Sequence, residues 1–175
     1  MALIVLLVVL AFLAVLGWAA LRPDEFSVSR SASIKAPPEK IFPLINDMKA
    51  MNSWNPFVQS DPTIKLVYTG PAAGKGARCD WEGSGQAGAG NISVTESRPS
   101  SSAVMQLNML RPFAGQNRVT FTLAPAGAAT NVTWAMTGAS TDLSKLMGLF
   151  MSMDKMVGGA FEKGLGDLKA KAERV

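Results

Sequence analysis

Two carboxylates, Asp80 and Glu82, lie two residues apart in a segment with the alternating pattern of a β-strand, and Arg78 precedes them. Side chains at i and i+2 share one face of a strand. A pair of carboxylates can act as general acid and base when burial raises one of the two pKa values. The same spacing also describes a solvated row of exposed charges. Asp80 and Glu82 are therefore the catalytic candidates, and the solvated row is the alternative.

Other kinds of site are excluded by what the 175 residues lack. The sequence has no histidine and a single cysteine, Cys79. These counts exclude a Ser-His-Asp triad, a His-ligated metal, an imidazole base, an intrachain disulfide and a thiolate zinc cluster. We therefore expect no metal and no cofactor. The formal net charge of +4 is spread along the chain, so nucleic acid is not an expected partner.

Two glycine-rich segments match nucleotide-binding motifs only in part. Residues 83–88 satisfy Gly-x-Gly-x-x-Gly, but a strand pattern follows where the dinucleotide motif requires a helix. Residues 70–76 resemble a P-loop, but they are one residue short and have Gly76 where Ser or Thr would hold magnesium. Both segments are predicted to be turns.

Aromatic and methionine side chains fall on single faces of the predicted strands and of the C-terminal helix. The chain has ten methionines, and methionine suits adaptable apolar surfaces. These side chains either fill a core or line a cavity between a sheet and a helix, and both interpretations stay open here. The candidate ligand-binding residues are Trp54, Phe57, Trp81, Met105, Leu107, Met109, Phe121, Trp134, Met136, Met153, Val157 and Phe161.

Hydrophobic periodicity predicts the elements that position these residues. Residues 25–35 alternate as a strand, residues 36–45 form a short amphipathic helix that begins at two prolines, and residues 46–56 form a loop. Further strands follow without intervening helices, which indicates an antiparallel sheet. They are predicted at 64–68, 77–82, 92–96, 103–110, 118–123 and 131–137.

From Leu143 onwards, apolar residues recur at three- and four-residue steps, which predicts a long C-terminal helix with one apolar stripe. Its glycines 158, 159, 164 and 166 each cost about 1 kcal/mol in a helix. Either the helix bends there or a neighbour packs closely against its backbone. A striped helix after a curved sheet rests on the concave face of that sheet. We therefore predict an α+β fold with about six to seven antiparallel strands wrapped around this helix.

The N-terminal segment has a different character. Ala2 to Leu21 carries no charge, and 20 such residues span roughly 30 Å, the thickness of a hydrocarbon core. We predict a transmembrane anchor at residues 1–22 and a globular domain at residues 23–175; a cleaved signal peptide is the alternative. Arg22, Arg30 and Lys35 follow the segment, which favours a single-pass protein with a cytoplasmic domain.

Six motifs carry a family resemblance. They are Ala36-Pro-Pro-Glu-Lys-Ile-Phe42, Trp54-Asn-Pro-Phe57, Gly76–Gly83, Arg111-Pro-Phe113, Thr130–Met136 and Met153–Leu165. Together they resemble the polyketide cyclase/dehydrase-like members of the START-related (SRPBCC) superfamily over about residues 25 to 173. The resemblance implies a helix-grip fold with a deep, mainly apolar cavity between the sheet and the long helix. Members bind lipids, sterols, polyketides and other hydrophobic molecules, and a minority are enzymes.

Two departures from the family pattern bear on catalysis. Residues 86–90 lack the acidic residue that many relatives have in this turn, and no acid precedes Phe161 in the helix motif. Both departures weaken a mechanism copied from an enzymatic relative.

The sequence thus leads to one function and two alternatives. The first is a membrane-tethered domain that binds a hydrophobic small molecule or lipid, with Asn108, Arg111 or Asn131 orienting it near the rim. The second is a cyclase or hydrolase that uses Asp80 or Glu82 in the same cavity. The third is an interaction module with a filled core, which predicts a large exposed apolar patch.

Overall fold

The computed structural model of the protein describes residues 25–84, 87–139 and 153–174, together with the isolated positions 4 and 17. The predicted order of a strand, a short helix, six strands and a C-terminal helix is confirmed. In chain order the elements are β1 (Glu25–Ile34), α1 (Pro38–Asn46), α2 (Met48–Asn52), α3 (Pro56–Gln59), β2 (Lys65–Thr69), β3 (Arg78–Glu82), β4 (Ala89–Arg98), β5 (Ser102–Arg111), β6 (Gly115–Ala126), β7 (Ala129–Ala139) and α4 (Met153–Ala172).

The strands form one curved antiparallel sheet in the order β1-β7-β6-β5-β4-β3-β2. β1 pairs with β7 from Glu25↔Ala139 to Ile34↔Thr130, so the first strand of the chain lies beside the last. Alternate residues face α4 and form the inner face of the sheet, whereas the serines of β1 lie on the opposite, outer face. The result is the predicted α+β, helix-grip-like architecture.

Residues 46–56, predicted as a loop, contain α2 and the start of α3. The Asp47 side chain accepts hydrogen bonds from the backbone N–H groups of Lys49 and Ala50, which caps α2. Asn55 caps α3 in the same way, and Pro56 occupies its first turn. The turn-forming residues in this segment therefore start two short helices, because the same side chains that favour turns also cap helix N-termini.

The glycines of α4 separate into two groups. A Cβ atom at Gly164 would lie 2.7 Å from the Trp134 ring and 2.9 Å from Pro56 Cδ, and one at Gly158 would meet the Arg30 guanidinium. A Cβ at Gly159 or Gly166 would meet nothing within 4 Å. Close packing against the helix backbone therefore accounts for Gly158 and Gly164, and nothing in the structure explains the other two glycines.

Within the described part of the chain, no helix is both long and apolar enough to cross a bilayer. The anchor predicted at residues 1–22 lies outside the described residues, except for positions 4 and 17. The part of the predicted C-terminal helix that precedes Met153 also lies outside them.

The two groups of glycines provide a matched pair of substitutions. We expect Gly164→Ala to lower the free energy of unfolding by about 1–3 kcal/mol, because the new methyl group overlaps Trp134 and Pro56. Gly166→Ala should raise it by about 0.5–1 kcal/mol, because this exposed helical position has free space around it. Urea denaturation of the two variants measures both values. Equal changes in the unfolding free energy for the two variants would show that α4 does not pack on Trp134 in this way.

Candidate functional site

The inner face of the sheet changes from buried to partly exposed along its strands. One row across the sheet is fully buried and consists of Val28, Met136, Val119, Met105 and Val94. The next two rows towards the start of β1 contain partly exposed side chains beside the buried Cys79; their partly exposed apolar members are Phe26, Leu107, Ile92, Met109, Trp81 and Leu66. We call this edge of the sheet, where β1 begins and β5 ends, the open end.

On the other side of the buried row, four aromatic side chains pack against one another. We call Trp54, Phe121, Trp134 and Phe161 the aromatic cluster; all four are buried. The Trp134 and Phe161 rings stack with centroids 4.1 Å apart and planes inclined by 8°. Trp54 meets Phe121 and Trp134 edge-on at 6.0 and 5.8 Å. The cluster joins the sheet to α4 and closes the inner face away from the open end.

Three tryptophans of the domain differ in what their indole N–H groups contact. Trp54 Nε1 donates to the Leu44 carbonyl at 2.8 Å, and Trp81 Nε1 donates to the Ala87 carbonyl at 2.9 Å. Trp134 Nε1 is buried and has no hydrogen-bond partner in the described part of the chain. An unpaired buried donor costs about 1–3 kcal/mol. A bound molecule with an acceptor oxygen is one way to satisfy this donor.

The orientation of Trp134 limits where such an acceptor can lie. Its Cζ3 edge is the one that faces Gly164 and Pro56, and Nε1 is at the diagonally opposite edge of the indole. The N–H group therefore points away from the contact of α4 with α3.

The structure brings most of the predicted ligand-binding residues to the inner face. Trp54, Phe121, Trp134, Phe161, Met105 and Met136 are in the buried core, and Phe57, Leu107 and Val157 pack against it while partly exposed. Trp81 and Met109 are partly exposed at the open end, on either side of Gly90. Met153 is the first residue of α4, and its side chain is outside the described part of the chain.

A polar group on the inner face escaped the sequence analysis. The buried Asn52 amide donates to the Tyr68 hydroxyl at 3.2 Å and to Cys79 Sγ at 3.3 Å. Burial raises the pKa of the Cys79 thiol and of the Tyr68 hydroxyl. The thiol is therefore protonated at neutral pH and is not an activated nucleophile. The alternation of Leu66 and Tyr68 in β2 was the available signal that Tyr68 shares a face with the apolar residues.

Asp80 and Glu82 lie on the outer face, opposite the aromatic cluster. Their strand neighbours Cys79 and Trp81 point inward, so the register corrects the hypothesis that these carboxylates share the interior cavity. Asp80 forms a bidentate pair with Arg78, which lowers the pKa of the Asp80 carboxyl below its ordinary value. A carboxyl that acts as a general acid near neutral pH needs a raised pKa instead.

Of the three residues predicted to orient a ligand at the rim, Asn108 and Asn131 lie on the outer face, and Arg111 lies at the open end. Asn108 donates to Asn91 on the outer face at 2.9 Å, and Asn131 is an exposed outer-face residue of β7. Arg111 ends β5 and forms a 3.0 Å ion pair with Glu82. None of the three side chains contacts the aromatic cluster.

A surface pocket of about 220 Å³ lies between α1 and the end of α4. Its lining residues are Glu39, Lys40, Pro43, Leu44, Lys171 and Ala172. Sites for small molecules usually measure about 300–1,000 Å³. The pocket is smaller than this and remote from the open end, so we do not consider it the ligand site.

Arg30 is a charged residue of the inner face and holds α4 against β1. Its guanidinium binds Asp154 through two nitrogens, at 2.7 and 3.0 Å, and Glu162 through Nε at 2.7 Å. These contacts lower the pKa of the Asp154 carboxyl below its ordinary value. Because Gly158 has no side chain, the guanidinium can lie directly against the helix backbone.

Comparisons with known proteins agree with this geometry. A family model described as polyketide cyclase / dehydrase and lipid transport matches residues 25–173. No protein with a curated description matches the chain.

Similar folds occur among solved structures at low sequence identity. A protein from Mesorhizobium loti, MLL2253, is 20% identical with a TM-score of 0.61, and the match covers 86% of this chain and 98% of that one. A protein from Rhizobium leguminosarum is 11% identical with a TM-score of 0.63, covering 86% and 96%. DynU16, from the dynemicin biosynthetic locus, is 15% identical with a TM-score of 0.57, covering 87% and 48%. At these identities the likeness shows the fold alone.

The Arg30–Asp154 pair predicts a pH dependence of stability. A carboxyl whose folded pKa is lowered stabilises the fold above its unfolded pKa of about 3.9, and this contribution is lost as pH falls through the folded pKa. The difference in unfolding free energy between wild type and Arg30→Met should therefore be largest above about pH 4 and shrink below it. Urea denaturation between about pH 2 and 6 measures this difference.

Lys163→Met serves as the control for this experiment. Lys163 pairs with Asp167 on the exposed surface of α4, and such exposed pairs contribute about 0–1 kcal/mol. If the difference in unfolding free energy between wild type and Arg30→Met does not change with pH, the Arg30–Asp154 pair does not stabilise the fold in the way assigned to it.

Proposed function

The chain belongs to the polyketide cyclase/dehydrase and lipid transport family, and from this premise we propose that it binds a hydrophobic small molecule or lipid against the inner face of its sheet. The body of the ligand contacts the partly exposed apolar side chains of the open end, including Leu107, Met109 and Trp81. Transfer of its apolar surface out of water drives binding, at about 2.5 kcal/mol for each 100 Å².

Among the residues that the structure describes, the buried Trp134 N–H group has no hydrogen-bond partner, and this observation supports the proposal and narrows the ligand class. The ligand carries an acceptor oxygen, such as a carbonyl, hydroxyl or ether, which accepts the hydrogen bond from Trp134 Nε1. Met136 lies two residues from Trp134 in β7, and Met105 of β5 lies diagonally across from Phe121 of β6. Methionine adapts its rotamers easily, and repacking of these two residues makes room for the polar end of the ligand.

The tether is a further part of the proposal. The uncharged run from Ala2 to Leu21 supports a membrane anchor at residues 1–22. Held beside a bilayer, the domain takes its ligand from the lipid phase. Enzymatic turnover is not part of the proposal, because the carboxylate candidates lie on the outer face.

Native mass spectrometry of the full chain, purified in a mild detergent, tests the binding function. We expect a lipid or another oxygen-containing hydrophobic molecule to co-purify at a near-stoichiometric amount, and extraction then identifies it. An apo mass that persists after incubation with a lipid mixture would contradict the proposal and favour the interaction module with a filled core.

Two variants distinguish binding from catalysis. Trp134→Phe removes the donor and should weaken binding of the co-purified ligand by about 2- to 10-fold, the value of one neutral hydrogen bond. The double substitution Asp80→Asn with Glu82→Gln should leave the Kd unchanged, because both side chains are on the outer face. Titration calorimetry measures both. The enzymatic alternative instead predicts that the ligand is converted by wild type and left unconverted by the double variant.

A further inference from the structure

Two large apolar side chains are exposed at the turn between β5 and β6. Leu110 and Phe113 expose 61% and 59% of their surface, and Pro112 and Ala114 between and beside them are exposed as well. Single exposed apolar residues are common on protein surfaces. Here, however, four of five consecutive residues are apolar and exposed, and the fifth is Arg111.

Strand register places this turn at the open end of the sheet. Met109 of β5 lies opposite Gly115 of β6, and Asn117 of β6 lies opposite Gly138 of β7. Glu25, the first residue of β1, pairs with Ala139 at the same edge. Neighbouring strands are about 4.8 Å apart. The β5–β6 turn is therefore about 10–15 Å across the sheet from the point where the N-terminal segment joins the domain.

The length of chain before β1 limits the distance of this edge from a bilayer. Three residues, Arg22 to Asp24, separate the apolar run from Glu25. A residue extends the chain by at most about 3.6 Å, so three residues reach about 11 Å. If residues 1–22 span a membrane, the edge that contains Glu25 and the β5–β6 turn is held at the membrane surface.

We propose that the β5–β6 turn docks on the lipid bilayer that holds the anchor, with Leu110 and Phe113 inserted at the boundary of headgroups and acyl chains. Arg111 lies between them in sequence, and the ion pair that it forms with Glu82 lies at the headgroup level. The open end of the inner face then meets the lipid, so that a ligand passes from the bilayer to the domain without crossing water. This inference rests on the membrane tether of the proposed function.

Spin labels on two matched alanines test the docking. Ala114 lies in the β5–β6 turn, whereas Ala128 lies in the β6–β7 turn at the opposite end of the sheet, and both are exposed. Each is replaced by cysteine in the full chain; the native Cys79 is buried. The labelled proteins are reconstituted into phosphatidylcholine vesicles and isolated by flotation. Electron paramagnetic resonance then measures collisions of the label with oxygen, which is enriched in lipid, and with a water-soluble nickel chelate.

We expect the label at position 114 to be accessible to oxygen and shielded from nickel, and the label at position 128 to be accessible to nickel. Adding Leu110→Ser with Phe113→Ser should return the label at 114 to water without loss of flotation, because both side chains are exposed and outside the core. If the protein floats with the vesicles but both labels are accessible to nickel, the docking is overturned and the tether is left intact. Failure to float would overturn the tether and the docking together, while the binding function is tested separately by mass spectrometry.

Discussion

The contact between Trp134 and α4 decides how the rest of the domain is arranged. A helix can approach an indole on the inner face this closely only where it has no side chain, and Gly164 provides that position. Once the helix is there, Phe161 stacks on the same indole with ring centroids 4.1 Å apart, and Arg30 reaches Asp154 and Glu162 beside Gly158. The orientation of the helix over β1 and β7 follows from these contacts.

The packing of α4 on Trp134 divides the inner face of the sheet into a covered part and an open part. α4 covers the side of the sheet formed by β1 and β7, and the aromatic cluster fills the space beneath it. The apolar residues of β2 to β5 nearest the open end are left partly exposed. The same close packing buries Trp134 Nε1, for which the described part of the chain provides no hydrogen-bond partner. The contact of α4 with Trp134 thus produces the two features on which the proposed ligand binding depends. They are a partly exposed apolar surface and a buried hydrogen-bond donor, the Trp134 N–H group.

Periodicity predicted the elements of this fold well, because alternation in strands and three- to four-residue steps in α4 follow directly from burial of one face. It also predicted which apolar residues share the inner face. It did not distinguish Trp134, which is buried and has no partner among the described residues, from Trp54 and Trp81, because periodicity does not show which backbone carbonyls, such as those of Leu44 and Ala87, reach an indole N–H group. The face of Asp80 was missed for a different reason. Trp81, predicted to face the interior, lies between Asp80 and Glu82 in the same strand, so alternation already places both carboxylates on the opposite face, and the pairing of Trp81 across Gly90 shows this directly.

The indole N–H signals in a ¹H–¹⁵N correlation spectrum test the central claim most directly. Titration with 2-tridecanone, which has a carbonyl oxygen, is compared with titration with n-tridecane, which has none. We predict that the ketone moves the Trp134 indole proton downfield, as a new hydrogen bond does, while the signals of Trp54 and Trp81 move less because their N–H groups are already bonded. A Trp134 signal that stays in place at saturating ketone, or that moves equally with the alkane, would contradict the claim that this buried donor receives the polar end of a hydrophobic ligand.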